Sequence, residues 1–320
     1  DIVSTRYGAF AALKSDGSVQ VWGDSGRGGA DPSLTSGVTK IFSTEHAFAA
    51  LKDDGSVKVW GRANYGGLYY DGSGPDITSG VVDISATQSA FAFLKSDGSV
   101  KAWGNSDFGG TDPSITSGIT RIIASKKAFV AFMDDGKIQT WGYSGAVSGA
   151  PTDGIVDVFH TKLGSEFVGL KSDGTIVAWG DTSNGYAGNP PANLDNVRTI
   201  FSTYGAFAAL KNDGSVVAWG SDPHGGIDPS IGSGVVDIFS NNYAFAALKD
   251  DGNVVTWGMA LKGGTMPPGT PGSTIIATNV YTIVGTEEAF AAIKDVSLAY
   301  GPQVTGTSQS KAVTRSGGSG

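Results

Sequence analysis

A fifteen-residue phrase that returns along the chain constrains the fold more than any other feature. "AFAALKSDGSVQVWG" at 9–23 comes back as "AFAALKDDGSVKVWG" at 47–61 and "AFAFLKSDGSVKAWG" at 90–104. Further copies stand at 128–142, 166–180, 206–220 and 244–258. Trp22, Trp60, Trp103, Trp141, Trp179, Trp219 and Trp257 mark them at intervals of 38 to 43 residues. An eroded eighth copy, "AFAAIKDVSLAYG" at 289–301, has Tyr300 in place of the tryptophan. A period of this length signals a solenoid, a propeller or an array of small units.

Each copy reads as three strands. Strand A is a stretch such as "VVDIFS" at 235–240, strand B is "AFAALK", and strand C is "SVVAWG". Between B and C stands an Asp-Gly pair, the signal for a tight hairpin of type I′, in which both central residues need positive φ. Strand B is apolar nearly throughout, so it is covered on both faces. Radially arranged blades supply that cover, because each small sheet lies between two neighbours. The alanine runs fit strands crowded near a central axis. The tryptophans then read as blade-to-blade packing, each indole adding roughly 150–250 Å² of contact. Links rich in Gly, Pro, Asp and Ser leave no room for a helix in every repeat. The segment "GGTDPSI" at 109–115 reads as an optional outer fourth strand. The expected fold is therefore an all-β propeller of repeated antiparallel blades with eight repeat units. Eight blades is the simplest count, and seven is the alternative because the eighth copy lacks the Asp-Gly turn. One propeller domain is expected over 1–301, with 302–320 a C-terminal strand or linker tail.

Composition sets limits on function. The 320 residues include 49 glycines and no cysteine; 40% are hydrophobic and 16% charged. That is too apolar for a disordered chain, and no unbroken apolar run reaches the ~18 residues of a membrane span, so no membrane insertion is expected. A net charge of −8 without a basic stripe argues against nucleic acid as a partner. Absent cysteine rules out disulfides and thiolate metal sites. His46, His160 and His224 fall in different copies and form no H-x-x-x-H spacing. No G-x-S-x-G elbow, Walker loop or D-x-D-x-D-G calcium loop occurs, so "GRGG" at 26–29 and the Asp-Gly pairs read as turns. No cofactor and no enzymatic activity are expected.

The phrase "ALKSDGSVQVWG" at 12–23 resembles the repeat of the regulator of chromosome condensation family, whose blades carry "ALxxDGxVxxWG". Spacing and strand order are most similar to short-repeat bacterial members, such as the propeller-type β-lactamase inhibitors. The resemblance spans about 1–301. It implies a propeller and a binding role, and it places the partner on the face carrying the loops that differ between copies. The chromatin-binding members' "Gly-Gln-Leu-Gly" after the tryptophan is missing, as is their histidine before strand B.

Comparison of the copies locates those loops. The B–C turn hardly changes, whereas the A–B turn runs from "TRYG" at 5–8 to "TEH" at 44–46, "SKK" at 125–127 and "NNY" at 241–243. The loop after each Trp-Gly varies as well, and antiparallel strands bring both to one face. A constant frame with varied loops is how binding proteins are built, and aromatic residues make good anchors. The candidates are Tyr7, His46, Tyr65, Phe108, Tyr143, Tyr186, Tyr204, His224 and Tyr243. The expected function is a non-enzymatic binding scaffold for a protein partner, extracellular or at the cell surface, or in the periplasm. The alternatives are a structural or adhesive segment of a large bacterial surface protein and a lectin-like module holding a cell-surface glycan.

Overall fold

In a computed structural model of the chain, the described residues are 1–68, 74, 75, 77–180, 188–264 and 274–294. Each of the first seven copies forms a small antiparallel sheet in the order A–B–C. In the second copy the strands are Val38–Ser43, Ala47–Lys52 and Val57–Gly61. The eight blades occupy 2–23, 38–61, 81–104, 119–142, 155–180, 197–220, 235–258 and 280–294. Six have three strands among the described residues; the seventh gains Thr274–Ala277, and the eighth shows two strands. The chain is an all-β, multi-blade propeller, and the expected tail at 302–320 lies outside the described residues.

Strand B lies between strands A and C and is buried along almost its whole length in blades 2 to 7, as its apolar run demands, whereas in blade 8 it is largely exposed. Strand A lies nearest the axis: the Ser43 hydroxyl donates to Ser4 O of the preceding blade at 3.0 Å, and Ser85 Oγ to Ile122 O of the next at 3.1 Å. The alanine-rich strand is thus the middle one and not the innermost. Its small residues let neighbouring sheets approach closely. Ala9 and Ala11 of blade 1 pack under Phe48, Ala50 and Trp60 of blade 2, and the pattern repeats around the molecule. Seven such clusters join the eight blades, and none joins blade 8 to blade 1 among the described residues. The terminal blades show it: Phe10 is 37% and Trp22 43% exposed, against 0% and 5% for their counterparts Phe48 and Trp60.

A polar latch accompanies this packing. The Trp60 indole N–H donates to Gly28 O at 3.0 Å, and Trp103, Trp141 and Trp257 repeat the bond to Gly67, Gly109 and Gly225 of the preceding blade. Gly28 has φ +106, and a Cβ there would stand 2.6 Å from the Phe48 ring, so only glycine lets the loop come this close. The "GRGG" segment is accordingly a turn, a single 3₁₀ turn over Ser25–Arg27.

Two local expectations are corrected. The Asp-Gly hairpin is not type I′. Lys14 N donates to Ser18 O and Gly17 N to Lys14 O, and in this turn only Gly17 has positive φ. That is a three-residue loop, a type I turn closed by a left-handed glycine. Asp16 stays out of the positive-φ region because its carboxylate accepts from Ser18 N at 2.9 Å and from the Ser18 hydroxyl at 2.7 Å. The fourth strand at 109–115 does not form either. Pro113 offers no N–H, and Ser114 turns to φ 57 while its N–H donates to Asp112 Oδ1. Only the bond from Val100 N to Ile115 O remains of a ladder.

Candidate functional site

Both varied loops emerge at the same end of the blades, and in blades 2, 3, 6 and 7 they are tied together there. The first residue of the A–B turn is a buried Thr, Ser or Asn in blades 1 to 7. Thr44 Oγ1 accepts from Ala47 N at 3.1 Å and donates to Tyr65 O at 2.7 Å, linking the turn to the loop after Trp60. Thr87 reaches Phe108 O, Thr203 reaches His224 O, and Asn241 Nδ2 reaches Lys262 O in the same way. Comparison of the turns as whole units passes over this constant first residue; its recurrence is the signal that finds it.

The structure gathers the candidate aromatics into three groups. Tyr7 stacks on His46 with ring centroids 4.6 Å apart, and Tyr65 meets His46 edge-on at 4.1 Å. Tyr243 lies between His224, stacked at 5.6 Å, and Tyr204, edge-on at 5.3 Å. Tyr143 lies under the Lys127 ammonium at 4.7 Å, and Phe108 lines the same 470 Å³ groove. Tyr7 and Tyr143 are exposed; Tyr65, Phe108, Tyr204, His224 and Tyr243 are half-buried. His46 is 6% exposed, so it holds Tyr7 and Tyr65 in place and presents little surface of its own. Tyr186 lies outside the described residues.

Charged side chains surround these rings. Arg27 Cζ lies 5.2 Å from the Tyr7 ring and Arg62 Cζ 5.5 Å from that of Tyr65. Together with Asp24, Asn64 and Leu68 these arginines line a groove of 740 Å³ between blades 1 and 2. Burial lowers the His46 pKa, and the Arg27 and Arg62 charges lower it further. At the axis, a 330 Å³ pocket is lined by Arg6, Glu45, Gln88, Lys126, Lys162 and Tyr204, among others. Arg6 pairs with Glu45 at 2.8 Å, and the Lys162 ammonium donates to Asn242 Oδ1 at 3.0 Å. Burial, with Glu287 close by, raises the Tyr204 phenol. Backbone bonds between successive turns, such as Glu45 N to Gln88 O and Tyr204 N to Asn242 O, rim the pocket. Among the described residues no three His, Asp or Glu side chains converge as a metal site. No helix there is long and apolar enough to cross a membrane.

No family model and no curated protein sequence matches the chain. Solved structures do. The ectodomain of the receptor kinase CR4 from Physcomitrella patens aligns with TM-score 0.49 and 15% identity, covering 84% of this chain and 74% of that one. The CRINKLY WD40 ectodomain of Arabidopsis thaliana ACR4 aligns with TM-score 0.49 and 17% identity, covering 80% and 93%. Yeast RCC1 (Prp20), solved bound to Kap60, aligns with TM-score 0.47 and 19% identity over 92% of this chain and 80% of that one. Yeast RCC1 is thus among the similar structures. What the varied face can do follows from this chain's own residues.

Proposed function

We infer that the chain is a non-enzymatic binding scaffold that takes a protein partner on the face carrying its A–B turns and post-tryptophan loops. The observation that carries this reading is the grouping of aromatics from neighbouring blades on that one face, over a frame that scarcely varies. Rigid aromatic groups beside arginines make anchors whose ordering cost is already met in the free protein. The half-exposed rings of Tyr65, Tyr204 and Tyr243 offer area without a deep cavity, which suits a protein surface better than a small ligand. An extracellular or cell-surface location is proposed with it and rests on the resemblance to short-repeat bacterial propellers. Affinity capture with the intact chain, read by mass spectrometry, tests the function. Alanine at Tyr65, Tyr204 and Tyr243 together should abolish recovery of a specific partner; recovery undiminished by the triple substitution would overturn the reading.

A further inference from the structure

Charge is divided unevenly over the molecule. The two varied loops of blades 1 to 5 carry six cations, Arg6, Arg27, Arg62, Lys126, Lys127 and Lys162, against the carboxylates of Asp24, Glu45 and Asp107 and that of Asp181, which lies outside the described residues. Yet the whole chain has a net charge of −8. The excess acid lies largely at the other end of the blades, where each Asp-Gly turn presents a carboxylate. Asp16, Asp54, Asp97 and Asp213 are each held below their ordinary pKa by hydrogen bonds from the following serine, so they stay ionised.

The cations are only partly answered from within. Arg6 is paired with Glu45, and Arg27 lies 3.4 Å from Asp24. Arg62, Lys126, Lys127 and Lys162 have no carboxylate partner among the described residues. Arg62 and Lys162 are exposed, Lys126 and Lys127 half-buried. Arg62 lines the groove between blades 1 and 2, Lys126 and Lys162 line the axial pocket, and the Lys127 ammonium stands over the Tyr143 ring. Guanidinium groups over tyrosine rings are held in place for carboxylate recognition.

Resting on the reading of this face as the partner surface, we propose that blades 1 to 5 form an acidic-segment site. A stretch of Asp and Glu from a partner protein runs from the Arg27–Arg62 groove to Lys126 and Lys162 at the axis. An overall negative charge disfavours a nucleic acid as occupant, because long-range repulsion would act on a whole phosphate backbone. A short acidic segment meets only the local field.

The probe is a fluorescein-labelled hexaglutamate peptide, titrated with the full chain and followed by anisotropy, with hexalysine and an oligothymidylate as comparisons. Saturable, salt-sensitive binding of hexaglutamate alone is expected. Arg62→Glu and Lys126→Glu should each weaken it by about tenfold or more, since like charges then face each other. Lys52→Glu and Lys211→Glu, beside the Asp-Gly turns, should leave it unchanged. Circular dichroism melts confirm that each variant is folded. No saturable binding, an equal loss in Lys52→Glu, or tighter binding of the oligothymidylate would overturn the proposal. A partner captured through Tyr65, Tyr204 and Tyr243 but indifferent to both charge reversals would sink the acidic-segment site and leave the binding face standing.

Discussion

At the scale of single residues, the side chain missing from Gly28 and its counterparts sets the distance between blades. Gly225 has φ +94, and a Cβ there would stand 2.8 Å from the Phe245 ring. Gly225→Ala should destabilise the protein by about 2–4 kcal/mol, the combined effect of overpacking and of a side chain at positive φ. Gly232→Ala, where nothing lies within 4 Å, should be nearly neutral in the same denaturant titration. Histidine sets the response to pH. Burial holds His160 and His224 below the ordinary value of 6.5, and burial with Arg27 and Arg62 does so for His46. In the unfolded chain these rings take up protons near their ordinary value, while the folded state resists until lower pH. Their contribution is therefore complete above about pH 6.5 and falls away as pH drops through the folded values. The melting temperature should decline from pH 7.5 to 5.5, and His160→Gln should flatten that slope; an unaltered slope would remove this ring from the account.

At the scale of the element, the tryptophan latch gives a paired comparison. The Trp60 N–H is bonded to Gly28 O, whereas the Trp219 N–H is buried with no acceptor among the described residues. Replacement by Phe removes the N–H and shrinks the ring in both, so Trp60→Phe should cost more than Trp219→Phe by about 0.5–1.5 kcal/mol. Equal losses in chemical denaturation would show that the bond contributes nothing net. The strands were legible because an apolar run such as "AFAALK" has one physical solution in a repeating chain: cover on both faces. Turn type was less legible. An Asp-Gly pair serves two hairpins, and the choice was made by the Asp16 side chain bonding to Ser18, a contact that spacing alone does not reveal. The outer strand failed for a similar reason, since the Asp112–Ser114 bond competes with the ladder. That the A–B turns and the post-tryptophan loops share one end of the blades was legible, because antiparallel order dictates it. Which aromatics meet depends on blade-to-blade geometry, so the burial of His46 against Tyr7 and Tyr65 was hidden.

At the scale of the whole molecule, nearly all cohesion is between neighbours, as in repeat proteins. The two terminal blades each have one face without such a neighbour among the described residues. Hydrogen exchange should accordingly be fastest in the strands of blades 1 and 8 and slowest in the middle blades, such as 3, 4 and 6. Trp22 gives an optical counterpart: at 43% exposure it should dominate acrylamide quenching, and Trp22→Phe should remove the most quenchable component. A protein in which all tryptophans are equally shielded would contradict this arrangement. The bond from Thr44 to Tyr65 O, repeated by Thr87, Thr203 and Asn241, carries a consequence for how such a face changes over time. Because the hydroxyl, or the Asn241 amide, donates to a main-chain oxygen, the bond is indifferent to which side chain that residue bears. Among blades 2, 3, 6 and 7, which share this bond, a blade's two loops can therefore be exchanged as one cassette. New specificities can arise by shuffling whole cassettes while the rest of the ring keeps its shape.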